Sequence, residues 1–420
     1  MNSQIIDRKL SFAIMAVFIM QSLNIFVRTI FPEGSFPVVI IRIANLFFPF
    51  ILFLKNLNCV LNRSKKAVIN SYLLFFFTYA MGVLMGKMRG EPTELIITAG
   101  ASWTILSWLP VGLLVYSVRD KHILVDEAYK RSFYMSGILL TQFLWFLLFG
   151  RTSDEVNDYN GSFAYLIVFP LLIHTNRLLS ESSKKLLFLV IIEFLSVLIY
   201  GNRGVFLCII VFFILRSIYS DILKKHKLKF IGLILLSVVA IGFIGSRMEM
   251  LQSYGINSRL IQYSDSDAET ASAGRNYIWL ESWNAISDSP IIGYGLGGEY
   301  YQLSVRGYKW DPGQTSLTIT SASAHNGFLQ MMLCFGIPLG LFISFFIITR
   351  FFVIKKTDDY IIKLFVITVF SSFIPPVFTI GDGIFIKPSV AFFLYLAMSL
   401  SKDAKYRQRL EKQCKNQSKG

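Results

Sequence analysis

Mostly apolar runs, many of them eighteen residues or longer, recur along the whole chain, near 10–30, 36–54, 67–86, 97–117, 132–149, 161–175, 186–201, 203–219, 229–246, 323–349, 360–378 and 384–400. A helix of that length matches the hydrocarbon thickness of a bilayer. Inside lipid every backbone polar group must be satisfied within its own element, so such runs can only be helices of a membrane bundle. The expected fold is an all-α polytopic membrane protein with about 12 transmembrane helices. Composition agrees, since 54% of the 420 residues are apolar and 16% are charged, against roughly 25% charged in a soluble domain. The first run is too long for a cleavable signal and lacks a small-residue cleavage site.

The net charge of +15 raises the question of nucleic acid, and its placement answers it. Most of the 41 Lys and Arg residues fall at the N-terminus, in connections 55–66, 118–131, 174–185, 216–229 and 350–359, and after Ser401. By the positive-inside rule those segments are cytoplasmic, with both termini inside. The basic excess is then topogenic and drawn to anionic lipid, and no nucleic-acid partner is expected. Cys59, Cys208, Cys334 and Cys414 are scattered and indicate neither a disulfide framework nor a zinc site.

One connection is long. The chain divides into an N-terminal bundle of about nine helices (1–246), a large extracytoplasmic loop (247–322), C-terminal helices (323–400) and a basic cytoplasmic tail (401–420). Loops of this length are commonly functional. Within it, Ile278, Trp279, Trp283 and Ile286 repeat at helical spacing, which predicts an amphipathic interfacial helix over 275–287. Ser289-Pro290 ends that helix. Gly293, Gly295, Gly297 and Gly298 then predict a flexible turn with exposed backbone amides.

Several residues on the outer side carry chemical interest. His325 is the one histidine placed there, because His122, His174 and His226 fall in cytoplasmic connections; it can take a proton, hydrogen-bond an oxyanion or simply cap a helix. Arg275 opens the amphipathic helix, where guanidinium and first-turn amides together favour phosphate. Arg203 sits in the tight turn Tyr200-Gly201-Asn202-Arg203-Gly204, and Arg42 lies within the second span, where arginine is costly unless it snorkels or functions. Arg247, Arg259, Arg306 and Lys309 add positive charge. Asp265-Ser266-Asp267 has D-x-D spacing, but in a polar loop on the side that lacks nucleotide sugars. Zinc-protease, P-loop and nucleophile-elbow motifs are absent, so no metal site or cofactor is expected.

On the outer side a transferase needs a donor that carries its own leaving group, and lipid pyrophosphates are such donors. Arginines and one histidine suit binding a pyrophosphate and stabilising its departure. Gly274-Arg275-x-x-x-Trp279, Pro290-x-x-Gly293-Tyr294-Gly295 and His325-Asn326-x-x-Leu329, with Gly336 and Gly340 downstream, resemble the O-antigen ligase and polymerase family of bacterial envelopes. So does the Asn202-Arg203-Gly204 turn, although many relatives place serines before that arginine.

The resemblance covers 203–340. It implies a membrane glycosyltransferase C-like fold in the bacterial inner membrane with its site on the periplasmic or extracellular side. It implies a polyprenyl-pyrophosphate-linked oligosaccharide donor, no metal, and essential residues Arg203, Arg275 and His325. Substrate-binding candidates are Arg42, Arg247, Arg259, Arg306, Asn326, Trp279 and Tyr294, with Trp283, Tyr300 and Trp310 as further aromatic surfaces. A chain-length regulator and a flippase would be partners. Within the family the expectation is a repeat-unit polymerase for O-antigen, capsule or exopolysaccharide; the alternative is a ligase acting on lipid A core or protein. A flippase or other transporter would show charge along its spans and internal repeats. Here Glu193, Arg42, Lys363 and Lys387 are the span charges, and no repeat is visible.

Overall fold

A computed structural model describes residues 3–32, 34–91, 101–149, 161–181, 183–200, 203–219, 275–307, 324–379, 384–385 and 387–417. The chain is an all-α polytopic membrane protein, with no strand among the described residues. Its elements are α1 (Ser3–Ile30), α2 (Phe36–Lys55), α3 (Leu57–Met88), a π turn (Thr104–Trp108) leading into α4 (Leu109–Ser117), α5 (Lys121–Phe149), α6 (Gly161–Ser180), α7 (Lys184–Tyr200) and α8 (Arg203–Tyr219). After these come α9 (Arg275–Asp288), α10 (Gly298–Gly307), α11 (Gly327–Thr349), a 3₁₀ segment (Arg350–Lys356), α12 (Tyr360–Thr379) and α13 (Pro388–Gln417).

Among the described residues seven helices are long and apolar enough to cross a membrane, and Thr104–Ser117 and Gly204–Tyr219 are shorter apolar helices. The expected span 229–246 lies outside the described residues. Several helices outrun the apolar runs that announce them. Connections 55–66 and 118–131 are largely helical, α13 continues to Gln417, and His174, placed by hydropathy in a connection, is buried inside α6. Hydropathy registers the lipid-matched middle of a helix and misses a polar end that continues the same hydrogen-bond ladder.

The bundle centres on Phe18 of α1, whose ring lies 5.7 Å from Phe169 of α6 and 5.6 Å from both Phe373 of α12 and Phe392 of α13. All four are buried, and offset or edge-on packing of this kind adds about 1 kcal/mol per pair beyond area burial. α1 packs along α5, α12 along α8, and α13 along α4. Leu73, Phe76, Phe77, Leu148 and Phe188 remain exposed on outward faces, as expected where the surrounding medium is lipid.

α11 is no straight rod. Gly336 adopts φ 75, ψ 171, and Pro338 follows it. Proline lacks an N–H and its ring strains the preceding turn, which frees carbonyls there. The helix folds back on itself at this point. A Cβ on Gly340 would meet the Met331 carbonyl at 2.5 Å, and the Phe328 and Phe345 rings are 6.0 Å apart. A straight helix would separate those pairs by about 13 and 25 Å. The span expected near 323–349 is therefore a hairpin of a short leg, 327–335, and a longer one from Ile337 into the 3₁₀ segment.

Candidate functional site

The freed carbonyls of α11 define how the lobe of α9 and α10 attaches to the bundle. Tyr294 N–H donates to Leu333 O at 2.7 Å and Gly295 N–H to Cys334 O at 2.8 Å, while Ile337 N–H donates to Pro290 O at 2.7 Å. The broken helix thus has its backbone satisfied by the α9–α10 connector, as buried polar groups require. Close approach explains the glycines. A Cβ on Gly293 would sit 2.5 Å from Gly336 N, one on Gly336 would sit 2.2 Å from Ile291 O, and one on Gly295 would sit 2.5 Å from the Gly82 Cα of α3. The turn expected to expose its amides instead buries them: residues 293–300 are all buried. A positive-φ run read from sequence looks mobile, but here it serves backbone-to-backbone packing.

Arg89, just past the end of α3, clasps the same connector. Its guanidinium donates to Gly293 O at 2.7 Å and to Ser289 Oγ at 3.3 Å, and lies 4.5 Å from the Tyr294 ring centroid. Tyr294 is buried and donates through its hydroxyl to Ala285 O at 2.8 Å; burial pushes its hydroxyl pKa up. Glu91 accepts from Gln302 of α10 at 2.6 Å, and burial raises its carboxyl above the ordinary value. Glu299 of α10 is buried against α11. It accepts from Gly297 N–H at 2.6 Å and from Gln330 at 3.4 Å. Desolvation pushes its carboxyl up to about 7, against those hydrogen bonds. Arg89, Glu91 and Glu299 escaped the sequence reading because only the tertiary fold brings them to the lobe.

His325 stands at the foot of the short leg of α11. It has φ 47, the one positive-φ residue other than glycine among the described residues. Histidine in the left-handed region is uncommon and costs of order 1 kcal/mol, a strain that clusters at functional sites. Asn326 follows as N-cap, its side-chain oxygen accepting from Phe328 N–H at 2.9 Å and Leu329 N–H at 3.3 Å. This cap fixes the first turn and leaves the partly exposed His325 just outside it. Gly327 packs against α12, where a Cβ would meet Val377 O at 2.9 Å.

The other expected residues fall as follows. α9 forms over 275–288, one residue past the expected end. Arg275 and Arg203 are the first residues of α9 and α8, positions flanked by unsatisfied first-turn amides; their side chains lie outside what is described. Trp279 is half-buried, and its indole nitrogen has no partner among the described residues. Trp283 is 49% exposed and Tyr300 is buried. Arg306 pairs with Asp288 at the end of α9. Arg42 is exposed on α2 beside exposed Ile40 and Ile43. Arg247, Arg259, Lys309, Trp310 and Asp265-Ser266-Asp267 lie outside the described residues.

The structure therefore joins the Pro290–Gly295 and Gly336–Gly340 motifs directly and sets His325 nine residues before Cys334, one of the carbonyls they share. No curated protein matches the chain. Residues 178–344 match the family model described as O-antigen ligase. That stretch runs from the end of α6 to the second leg of α11, spanning Arg203, Arg275, His325 and the glycines of the hairpin, and over it the chain is similar to the O-antigen ligase and polymerase family.

Proposed function

We propose that this protein is a polysaccharide polymerase that transfers a polyprenyl-pyrophosphate-linked glycan onto another lipid-linked repeat unit at the outer face of the bacterial inner membrane. The observation that carries the reading is His325, held at φ 47 beside an Asn326-capped helix start within the matched segment. Sidedness rests on charge: Arg63, Arg119, Lys121, Arg350 and Lys402 gather at the end of the bundle away from the α9–α10 lobe, which the positive-inside rule makes cytoplasmic.

In this mechanism the acceptor hydroxyl oxygen attacks the anomeric carbon of the donor. The bond from that carbon to the pyrophosphate oxygen breaks, and the lipid pyrophosphate leaves with the electron pair. His325 takes the hydroxyl proton, a role worth about 10²–10⁴ in rate. Arg203 and Arg275, each at a helix start, hold the pyrophosphate and offset its growing charge. No metal is needed for these roles. Trp279 and Trp283 offer aromatic faces for sugar. Arg306 and Tyr294 act through the lobe's packing, while Arg42, Arg247 and Arg259 supply outer positive charge. A chain-length regulator and a flippase are the partners such a pathway uses.

The match to the O-antigen ligase family model favours a second reading, a ligase that delivers the glycan to lipid A core or protein. The test is purified protein with a polyprenyl-pyrophosphate oligosaccharide as sole substrate, without added metal, beside His325→Ala, Arg275→Ala and Arg203→Ala. A ladder of longer lipid-linked glycans, lost in all three variants, supports the polymerase. Transfer only to an added lipid A core or protein acceptor makes it a ligase. Movement of the intact lipid-linked unit across liposomes, with no transfer, would replace both with transport.

A further inference from the structure

A second polar concavity lies away from the lobe. α3 runs about 36 Å from its kink at Ser64 to Met88, so Arg63 and Arg89 mark its opposite ends. At the Arg63 end a cavity of about 1060 Å³ opens between α3, the end of α4, the start of α5, the 3₁₀ segment and α13. Its floor is a buried knot. Arg63 pairs with Asp7 and donates to Ser117 O at 3.1 Å and to Ser3 Oγ at 3.0 Å. Asp7 also accepts from Arg119 N–H at 2.9 Å, and the buried Lys121 amine donates to Val118 O.

With Arg63 matched by Asp7, the lining still holds Arg119, Lys121, Arg350 and Lys402 against the carboxylate of Asp403. Lys402 lies 5.6 Å from the Tyr116 ring, so its stem is laid along the wall. Burying the Lys121 ammonium among apolar helices is costly unless an anion shares the space. A concave wall of low dielectric focuses the remaining positive field into the cavity. Two guanidinium forks and two ammonium groups around one opening match tetrahedral oxyanions with several acceptors, and phosphate is the common one.

We propose that this cavity binds a phosphate-bearing group, either the headgroup of an anionic phospholipid or a soluble phosphate. The site stands apart from the transfer chemistry proposed at His325, and it holds whether or not that reading does.

The test uses the full chain in neutral detergent at fixed ionic strength, following its thermal midpoint while phosphatidylglycerol, phosphatidylcholine or inorganic phosphate is titrated. The expected result is a saturable upward shift with phosphatidylglycerol or with inorganic phosphate. The Arg119→Gln/Lys402→Gln variant changes two exposed side chains, and its apparent affinity should fall about tenfold or more. The Lys184→Gln/Lys185→Gln variant loses the same charge on α7 and should keep the wild-type shift. Response to the lipid alone identifies a headgroup, and response to phosphate alone identifies a soluble ligand. No shift from either, or equal losses in both variants, overturns the site.

Discussion

The backbone amide of Tyr294 donates to the carbonyl of Leu333 at 2.7 Å, tying the turn after α9 to a helix broken at Gly336. One hydrogen bond of this kind contributes about 1 kcal/mol net. Its importance lies in pairing a carbonyl that the fold-back of α11 removes from its own ladder.

Gly336→Ala and Gly293→Ala should each disrupt this junction. Both positions have positive φ, and the new Cβ of the first would meet Ile291 O at 2.2 Å. The expected cost is about 3 kcal/mol from strain and overpacking together. Gly137→Ala, in a helix with nothing within 4 Å of the new methyl, should leave the thermal midpoint of purified protein unchanged or higher. Equal midpoints for all three variants would show that the close approach carries no weight.

Arg89→Lys should loosen the lobe nearly as much as Arg89→Ala. The guanidinium reaches Gly293 O and Ser289 Oγ together while lying against the Tyr294 ring, a set of contacts one ammonium cannot reproduce. Limited proteolysis should cut between 289 and 296 at least severalfold faster in both variants. A lysine variant as resistant as wild type contradicts the clasp.

Glu299 predicts a pH dependence. Its carboxyl is raised from 4.5 to about 7, chiefly by desolvation, so between those values the folded protein holds a proton that the unfolded chain has released. The associated stability is fully present below pH 4.5, is lost as pH rises through about 7, and is flat beyond; linkage puts it at roughly 3 kcal/mol. Glu299→Gln should flatten the thermal midpoint over that window. An unchanged slope would exclude Glu299 as its source.

Deeper in the bundle, His174 lies 2.8 Å from both Glu193 Oε1 and Ser132 Oγ, and Ser136 donates to the same Glu193 oxygen. All four are buried, linking α5, α6 and α7. Glu193→Ala strands two polar partners in a dry core and should cost about 3 kcal/mol. Glu193→Gln keeps an acceptor and should cost less than half of that. Thermal midpoints in which Gln is as damaging as Ala would mean that charge, not hydrogen bonding, holds the network.

Apolar run length by itself determined the all-α membrane bundle, because lipid leaves a backbone of this hydropathy no other way to satisfy itself. Local spacing likewise determined α9, whose Ile278, Trp279, Trp283 and Ile286 repeat at helical period, and the stop at Ser289-Pro290. The residues flanking His325 could be singled out from order and chemistry. Only the tertiary structure decided that the Gly293–Gly298 turn is buried rather than open, since a glycine's empty Cβ position reads the same whether solvent or another backbone fills it. It also decided that α11 doubles back, that Tyr294 packs under Arg89, and that Glu299, Glu91 and the basic cavity exist as sites. Each of these depends on residues far apart in the chain, Arg89 with Gly293 or Arg63 with Lys402, and such pairings leave no periodicity for a sequence to display.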